Sequence, residues 1–129
     1  MPHLSIEYSQ GVGGDARVEQ LCRAVHAAMI ETGIFPVAGI RVRAHRADVS
    51  IVADGLPQND FVAMTLAVGT GRSTEALQDA GGLIFSAAQG VLSERLAEPH
   101  FALSLEIRQI DPDLSWKDTP IHARLAKKD

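Results

Sequence analysis

Twice along these 129 residues the hydropathy period runs from two, to about 3.6, and back to two. That repeated alternation is the tightest constraint on the fold, because each period belongs to one kind of secondary structure. In the first unit residues 3–9 alternate, with Leu4, Ile6 and Tyr8 on one face and His3, Ser5, Glu7 and Ser9 on the other. Gly11, Gly13 and Gly14 end this strand, and Asp15 is positioned to cap a helix. Val18, Leu21, Cys22, Val25 and Met29 then form one apolar stripe, and Gly33 followed by Pro36 closes the helix. Residues 40–45 alternate again, Ile40, Val42 and Ala44 against Arg41, Arg43 and His45. A short strand from Val49 to Ala53 is expected to return from them before the Asp54-Gly55 turn.

The second unit repeats the order. Phe61 to Val68 reads as a nearly continuous apolar strand, Gly69-Thr70-Gly71-Arg72 as a tight connection, and Ser73 as an N-cap. Residues 74–96 read as one long helix with Leu77, Ala80, Ile84, Ala87, Val91 and Leu92 inward. Gly81 and Gly82 within it cost about 1 kcal/mol each relative to Ala, which calls for a packing reason. Phe101, Leu103, Leu105 and Ile107 mark the last strand, and from Asp111 the chain is polar and proline-punctuated, with Trp116 its largest apolar group.

Strands joined through a helix run parallel, and right-handed crossovers put both helices on one side. The expected fold is α+β, two tandem β-α-β units forming a mainly four-stranded sheet with two helices on one face. The other face then carries either Ala63, Thr65 and Ala67 or Val62, Met64 and Leu66. Both sets are too apolar for water, which predicts an oligomer.

Composition narrows the function. A net charge of -4 with no basic stripe speaks against nucleic acid. The apolar runs are too short to span a membrane, and the start, Met-Pro-His-Leu, lacks a secretory signal. One cysteine suits a reducing compartment, so a soluble, cytoplasmic protein is expected. Nine of the twelve cations are arginines, whose planar fork matches carboxylates.

Among candidate groups, Pro2 stands out. Trimming of Met1 leaves a secondary amine, whose ordinary pKa near 8 falls beside cations or in an apolar pocket, toward the value a general base needs. Gly11-Val12-Gly13-Gly14-Asp15-Ala16 formally satisfies a dinucleotide fingerprint. The strand before it alternates, whereas a dinucleotide-binding first strand is buried on both faces, so it reads as a decoy. Gly69–Ser73 lacks the lysine of a phosphate loop but sets Arg72 at a helix N-terminus, where anions are favoured. His3, His26, His45, His100 and His122 show no metal-ligand spacing, and Cys22 reads as a buried core thiol.

Four segments converge on a known family. They are Met-Pro-His-Leu-Ser-Ile-Glu-Tyr, the run Thr-Gly-Ile-Phe-Pro-Val-Ala-Gly-Ile-Arg-Val-Arg-Ala-His-Arg, then Ala-Asp-Gly, and Phe-Val-Ala-Met-Thr-Leu-Ala-Val-Gly-Thr-Gly-Arg-Ser. With Leu-Ser-Leu-Glu-Ile near the end, the chain resembles the 5-carboxymethyl-2-hydroxymuconate isomerases of the tautomerase superfamily over nearly its whole length. The resemblance implies a single tautomerase-like domain over residues 1–129, with pseudo-repeats at about 2–59 and 60–129. It implies a homotrimer acting in aromatic-compound breakdown on the homoprotocatechuate route. The reaction moves a proton within a multiply carboxylated 2-hydroxy acid to give the 2-oxo isomer, with no metal and no cofactor. Carried over residue by residue, Pro2 is the base, Arg41 and Arg72 stabilise charge and bind substrate, and Arg43 is a weaker addition. Two alternatives stay open: a smaller 2-hydroxymuconate or enol-pyruvate as substrate, or a trimeric ligand-binding module if Met1 is retained.

Overall fold

A computed structural model describes residues 2–126 of the chain. Strands β1 (His3–Tyr8), β2 (Arg41–Arg46), β3 (Asp60–Gly69) and β4 (Phe101–Ile110) form one sheet in the order β2-β1-β3-β4. The pairs β1·β2 and β3·β4 are parallel, as helical crossovers require, and the two units meet antiparallel at β1·β3. Helices α1 (Asp15–Glu31) and α2 (Thr74–Val91) pack against each other on one face. Their inward residues Leu21, Val25, Met29, Leu77, Ile84 and Ala88 bury Leu4, Ile6, Val62, Met64, Leu66 and Val68. The expected architecture holds. The antiparallel β1·β3 ladder at its centre rules out the doubly wound parallel sheet of a dinucleotide domain, so the glycine fingerprint is a decoy. No helix among the described residues is long and apolar enough to cross a membrane.

Several local expectations change. Residues 49–53 form no strand; Val49 and Ile51 stand 82% and 85% exposed in a loop. That loop is held from within, by Asn59 Nδ2 donating to the Val52 carbonyl at 3.0 Å and to Asp54 Oδ1 at 2.6 Å. The long second helix breaks at Leu92, after which α3 (Ser93–Leu96) is a separate turn. Gly14 rather than Asp15 takes the N-cap position of α1, whereas Ser73 does cap α2, accepting from the Ala76 N–H at 3.1 Å. Cys22 is half-buried at the margin of the core, and burial, with Glu19, raises its thiol pKa. The tail folds into α4 (Pro120–Ala126), which packs on the 3₁₀ turn Val37–Gly39.

The helix-free face is less apolar than the sequence suggested. The core takes Val62, Met64 and Leu66, leaving Ala63, Thr65 and Ala67 outside. Across the sheet one row reads Arg43, Ser5, Thr65 and Glu106, and the next reads Arg41, His3, Ala67 and Arg108. Ser5, Thr65, Ala67 and the His3 ring occupy the middle, and charges the two outer strands. Gly81 has its packing reason, since a Cβ there would stand 3.2 Å from Ile107 Cδ1; nothing lies within 4 Å of one at Gly82.

One end of the sheet is clamped by a buried ionic network. Arg95 Nη2 donates to Asp60 Oδ2 at 2.9 Å and its Nη1 to the Gly11 carbonyl at 2.7 Å. Ser9 Oγ donates to Asp60 Oδ1 at 2.6 Å and accepts from the Phe61 N–H. Burial alone would raise the Asp60 pKa, but hydrogen bonds from Ser9 and Arg95, the Arg95 charge and the Gly11 N–H outweigh it and lower it. A Cβ at Gly11 would collide with this carboxylate, so the turn after β1 must be glycine.

Candidate active site

The opposite end of the sheet gathers Pro2, Arg41 and Arg72. There β1 begins, β2 begins beside it and β3 ends, so Pro2, the loop into Arg41 and the turn leading to Arg72 share one pole. The Pro2 ring is fully buried, and its carbonyl accepts from the Arg41 N–H at 3.1 Å. That bond fixes the proline against the first residue of β2.

Arg41 is turned back onto its own approach loop. Its Nη1 donates to the Gly39 carbonyl at 3.0 Å and the Ala38 carbonyl at 3.4 Å. Among the described residues its Nε and Nη2 take no hydrogen-bond partner, which leaves one edge of the guanidinium for an anion. Arg72 is held differently. Its Nε donates to the Ile34 carbonyl at 3.1 Å, and the guanidinium carbon sits 4.9 Å above the Phe35 ring. Among the described residues its Nη1 and Nη2 take no hydrogen-bond partner, which leaves that end for two-point capture of a carboxylate. The turn does not leave Arg72 loose; a buried aromatic and a carbonyl hold it. The backbone anion site expected after Gly69 is partly used up, because Ser73 already satisfies the Ala76 N–H.

Arg43 falls further away. It lies one pleat along β2, roughly 7 Å from Arg41, exposed on the helix-free face beside Ser5. The structure thus brings Pro2 and Arg41 together, sets Arg72 at the same pole, and leaves Arg43 at the margin.

Two groups escaped sequence reasoning. His3 pairs with Arg41 across the β1·β2 ladder, and its Nε2 is buried with no hydrogen-bond partner. Burial, then the charges of Arg41, Arg43 and Lys117, hold its pKa below the ordinary value of 6.5. Lys117 comes from the tail, which has no strand or helix period to announce its path, and with Trp116 it lines a cavity against His3, Gly69 and Ile110.

Known proteins resemble this chain over nearly its whole length. A family model described as 5-carboxymethyl-2-hydroxymuconate isomerase matches residues 2–125. The chain is 37% identical over 123 residues to a 5-carboxymethyl-2-hydroxymuconate Delta-isomerase of Escherichia coli, covering 95% of this chain and 98% of that one. A crystal structure of a 5-carboxymethyl-2-hydroxymuconate isomerase from Deinococcus radiodurans R1 superposes with a TM-score of 0.89 at 32% identity, covering 96% of this chain and 93% of that one. Fold similarity extends to a fused 4-OT symmetric trimer, with a TM-score of 0.68 at 16% identity over 90% of this chain and 93% of that one.

Proposed function

We propose, from the premise that the chain belongs to the 5-carboxymethyl-2-hydroxymuconate isomerase family, that it converts that 2-hydroxy acid to its 2-oxo isomer using the Pro2 nitrogen as base. Membership makes it an isomerase. In the proposed reaction the enol O–H proton passes to the amine, C2–O becomes a carbonyl, and the conjugated double bonds shift. The same proton, or one exchanged for it, is delivered to carbon. A single amine serves both transfers when the substrate is held still.

The observation that carries the reading is the Pro2–Arg41 bond at the pole that Pro2, Arg41 and Arg72 share. It sets the start of β1, where the amine of processed protein would lie, beside the first residue of β2, whose guanidinium has unused donors. Nearby positive charge disfavours the ammonium form, which tunes the amine downward. Arg41 then stabilises charge on the developing carbonyl oxygen, Arg72 grips a carboxylate, and Arg43 assists electrostatically from the rim. The reading places the enzyme in the cytoplasm, in aromatic-compound breakdown on the homoprotocatechuate route.

Steady-state kinetics of two alanine variants separate the arginine roles. Arg41→Ala is expected to lower kcat by about 10²–10³, the scale of a lost oxyanion donor. Arg72→Ala is expected to raise KM with kcat nearly intact, as loss of uniform binding does. Two folded variants with unchanged kcat and KM would remove both residues from the site.

Assembly belongs to the same proposal. The helix-free sheet face leaves Ala63, Thr65 and Ala67 half-buried, and three copies covering those faces would give a homotrimer. Sedimentation equilibrium is expected to give about three times the chain mass of 13.8 kDa. A monodisperse monomer would contradict this.

A further inference from the structure

The name of the family's substrate counts three carboxylates, two on the muconate chain and one on the carboxymethyl branch. Arg72 is assigned one of them, and Arg41, assigned the C2 oxygen, stands next to the C1 carboxylate that this oxygen adjoins. We propose that Lys117 and His3 form the subsite for the third carboxylate, with Trp116 as its wall. The assignment rests on the function proposed above and names the residues that set its specificity.

Geometry carries it. A cavity of about 330 Å³ lies between the start of β1 and the tail, and His3, Gly69, Ile110, Trp116 and Lys117 line it. Its place follows from register. His3 faces Ala67, and Gly69 lies two residues further along β3 with Ile110 as its partner on β4, so the cavity opens at the start of β1, one residue along the chain from Pro2. Trp116 is 86% exposed, so its indole face is available to a planar conjugated acid. The buried His3 Nε2 without a partner is a polar atom that a ligand could satisfy. With its pKa held down by burial and by the surrounding cations, the ring is neutral at neutral pH and can donate one N–H to a carboxylate. Lys117 supplies the charge. The arrangement separates three-carboxylate substrates from two-carboxylate ones, because the smaller acid gains nothing from the cavity.

The test compares 5-carboxymethyl-2-hydroxymuconate with 2-hydroxymuconate on wild type, Lys117→Met, Lys117→Arg and His3→Phe, each checked for folding by circular dichroism. Lys117→Met is expected to lower kcat/KM for the three-carboxylate acid by about 10- to 100-fold, the range of a charge-assisted hydrogen bond. It should leave the two-carboxylate acid within about twofold, on the premise that uniform binding is lost for one substrate only. Lys117→Arg should recover most of the loss, and His3→Phe should lose more on the three-carboxylate acid than on the two-carboxylate one. Equal losses on both substrates, or no loss on either, would overturn the subsite. If wild type turns over neither acid, the proposed function fails separately, and calorimetric titration with tricarballylate and glutarate decides the subsite. Tighter binding of tricarballylate that Lys117→Met abolishes supports it; equal affinities in both proteins overturn it.

Discussion

Protein whose Pro2 nitrogen remains an amide, through retained Met1 or an added residue, is expected to show no isomerase turnover. An amide nitrogen has its lone pair in the peptide bond and cannot take a proton at neutral pH. Positioned acid–base groups contribute roughly 10²–10⁴ to rate, and here one group is assigned both transfers, so the loss should reach the assay floor. Intact mass distinguishes the species, the active one being lighter by a methionyl residue. Pro2→Ala leaves a primary amine of different basicity, and a large but incomplete loss is expected. On processed wild type, kcat/KM should rise with pH through an acid limb below the ordinary α-amino value of about 8, since the Arg41 backbone is bonded to Pro2 and its positive charge disfavours the ammonium form. A limb at or above 8, or full activity of the acylated protein, would remove Pro2 as the base.

The largest effect on stability is expected at the other end of the sheet. The side chains of Asp60 and Arg95 are only 11% and 15% exposed, and their ion pair ties β3 to α3 and to the turn after β1. Asp60→Ala leaves Arg95 buried without its carboxylate and strips Ser9 of its acceptor, which should cost about 3–5 kcal/mol. That is a large share of the roughly 5–15 kcal/mol a domain of this kind has. Urea titration should show a lower midpoint with little change in slope. The pH dependence carries a sign. The Asp60 pKa is lowered in the folded state, so its stabilisation is present above the ordinary value of 3.8 and is lost as pH falls through the folded value. Asp60→Ala should therefore flatten the acid limb of the stability profile. His3 adds a separate step of its own. Its folded pKa lies below 6.5, so the unfolded chain binds the proton first and stability declines as pH drops below that value.

The sequence by itself determined the order of elements and the face each buries. Strict alternation in residues 3–9 and the stripe Val18, Leu21, Val25 and Met29 leave one way to hide the apolar side, and the parallel pairing follows from the crossover length. Pro2, Arg41 and Arg72 were legible as candidates because proline at the second position, a cationic strand face and a helix-opening turn each carry their own chemical reason. Local patterns could not decide how those pieces meet. Val49 and Ile51 suit a strand, yet only the tertiary arrangement shows that they stand in solvent, in a loop held by its own turns. The hold on Arg72 by Phe35 and Ile34, and the Asp60–Arg95 clamp, join residues 37, 38 and 35 positions apart. Ionic and hydrogen-bond partners at that separation leave no periodicity to read. The return of Trp116 and Lys117 to the start of β1 was equally hidden, because an aperiodic tail takes its path from the surface it covers. Secondary structure answers to the hydrophobic period, which any short window contains; the site answers to distances between windows, which exist only once the sheet has formed.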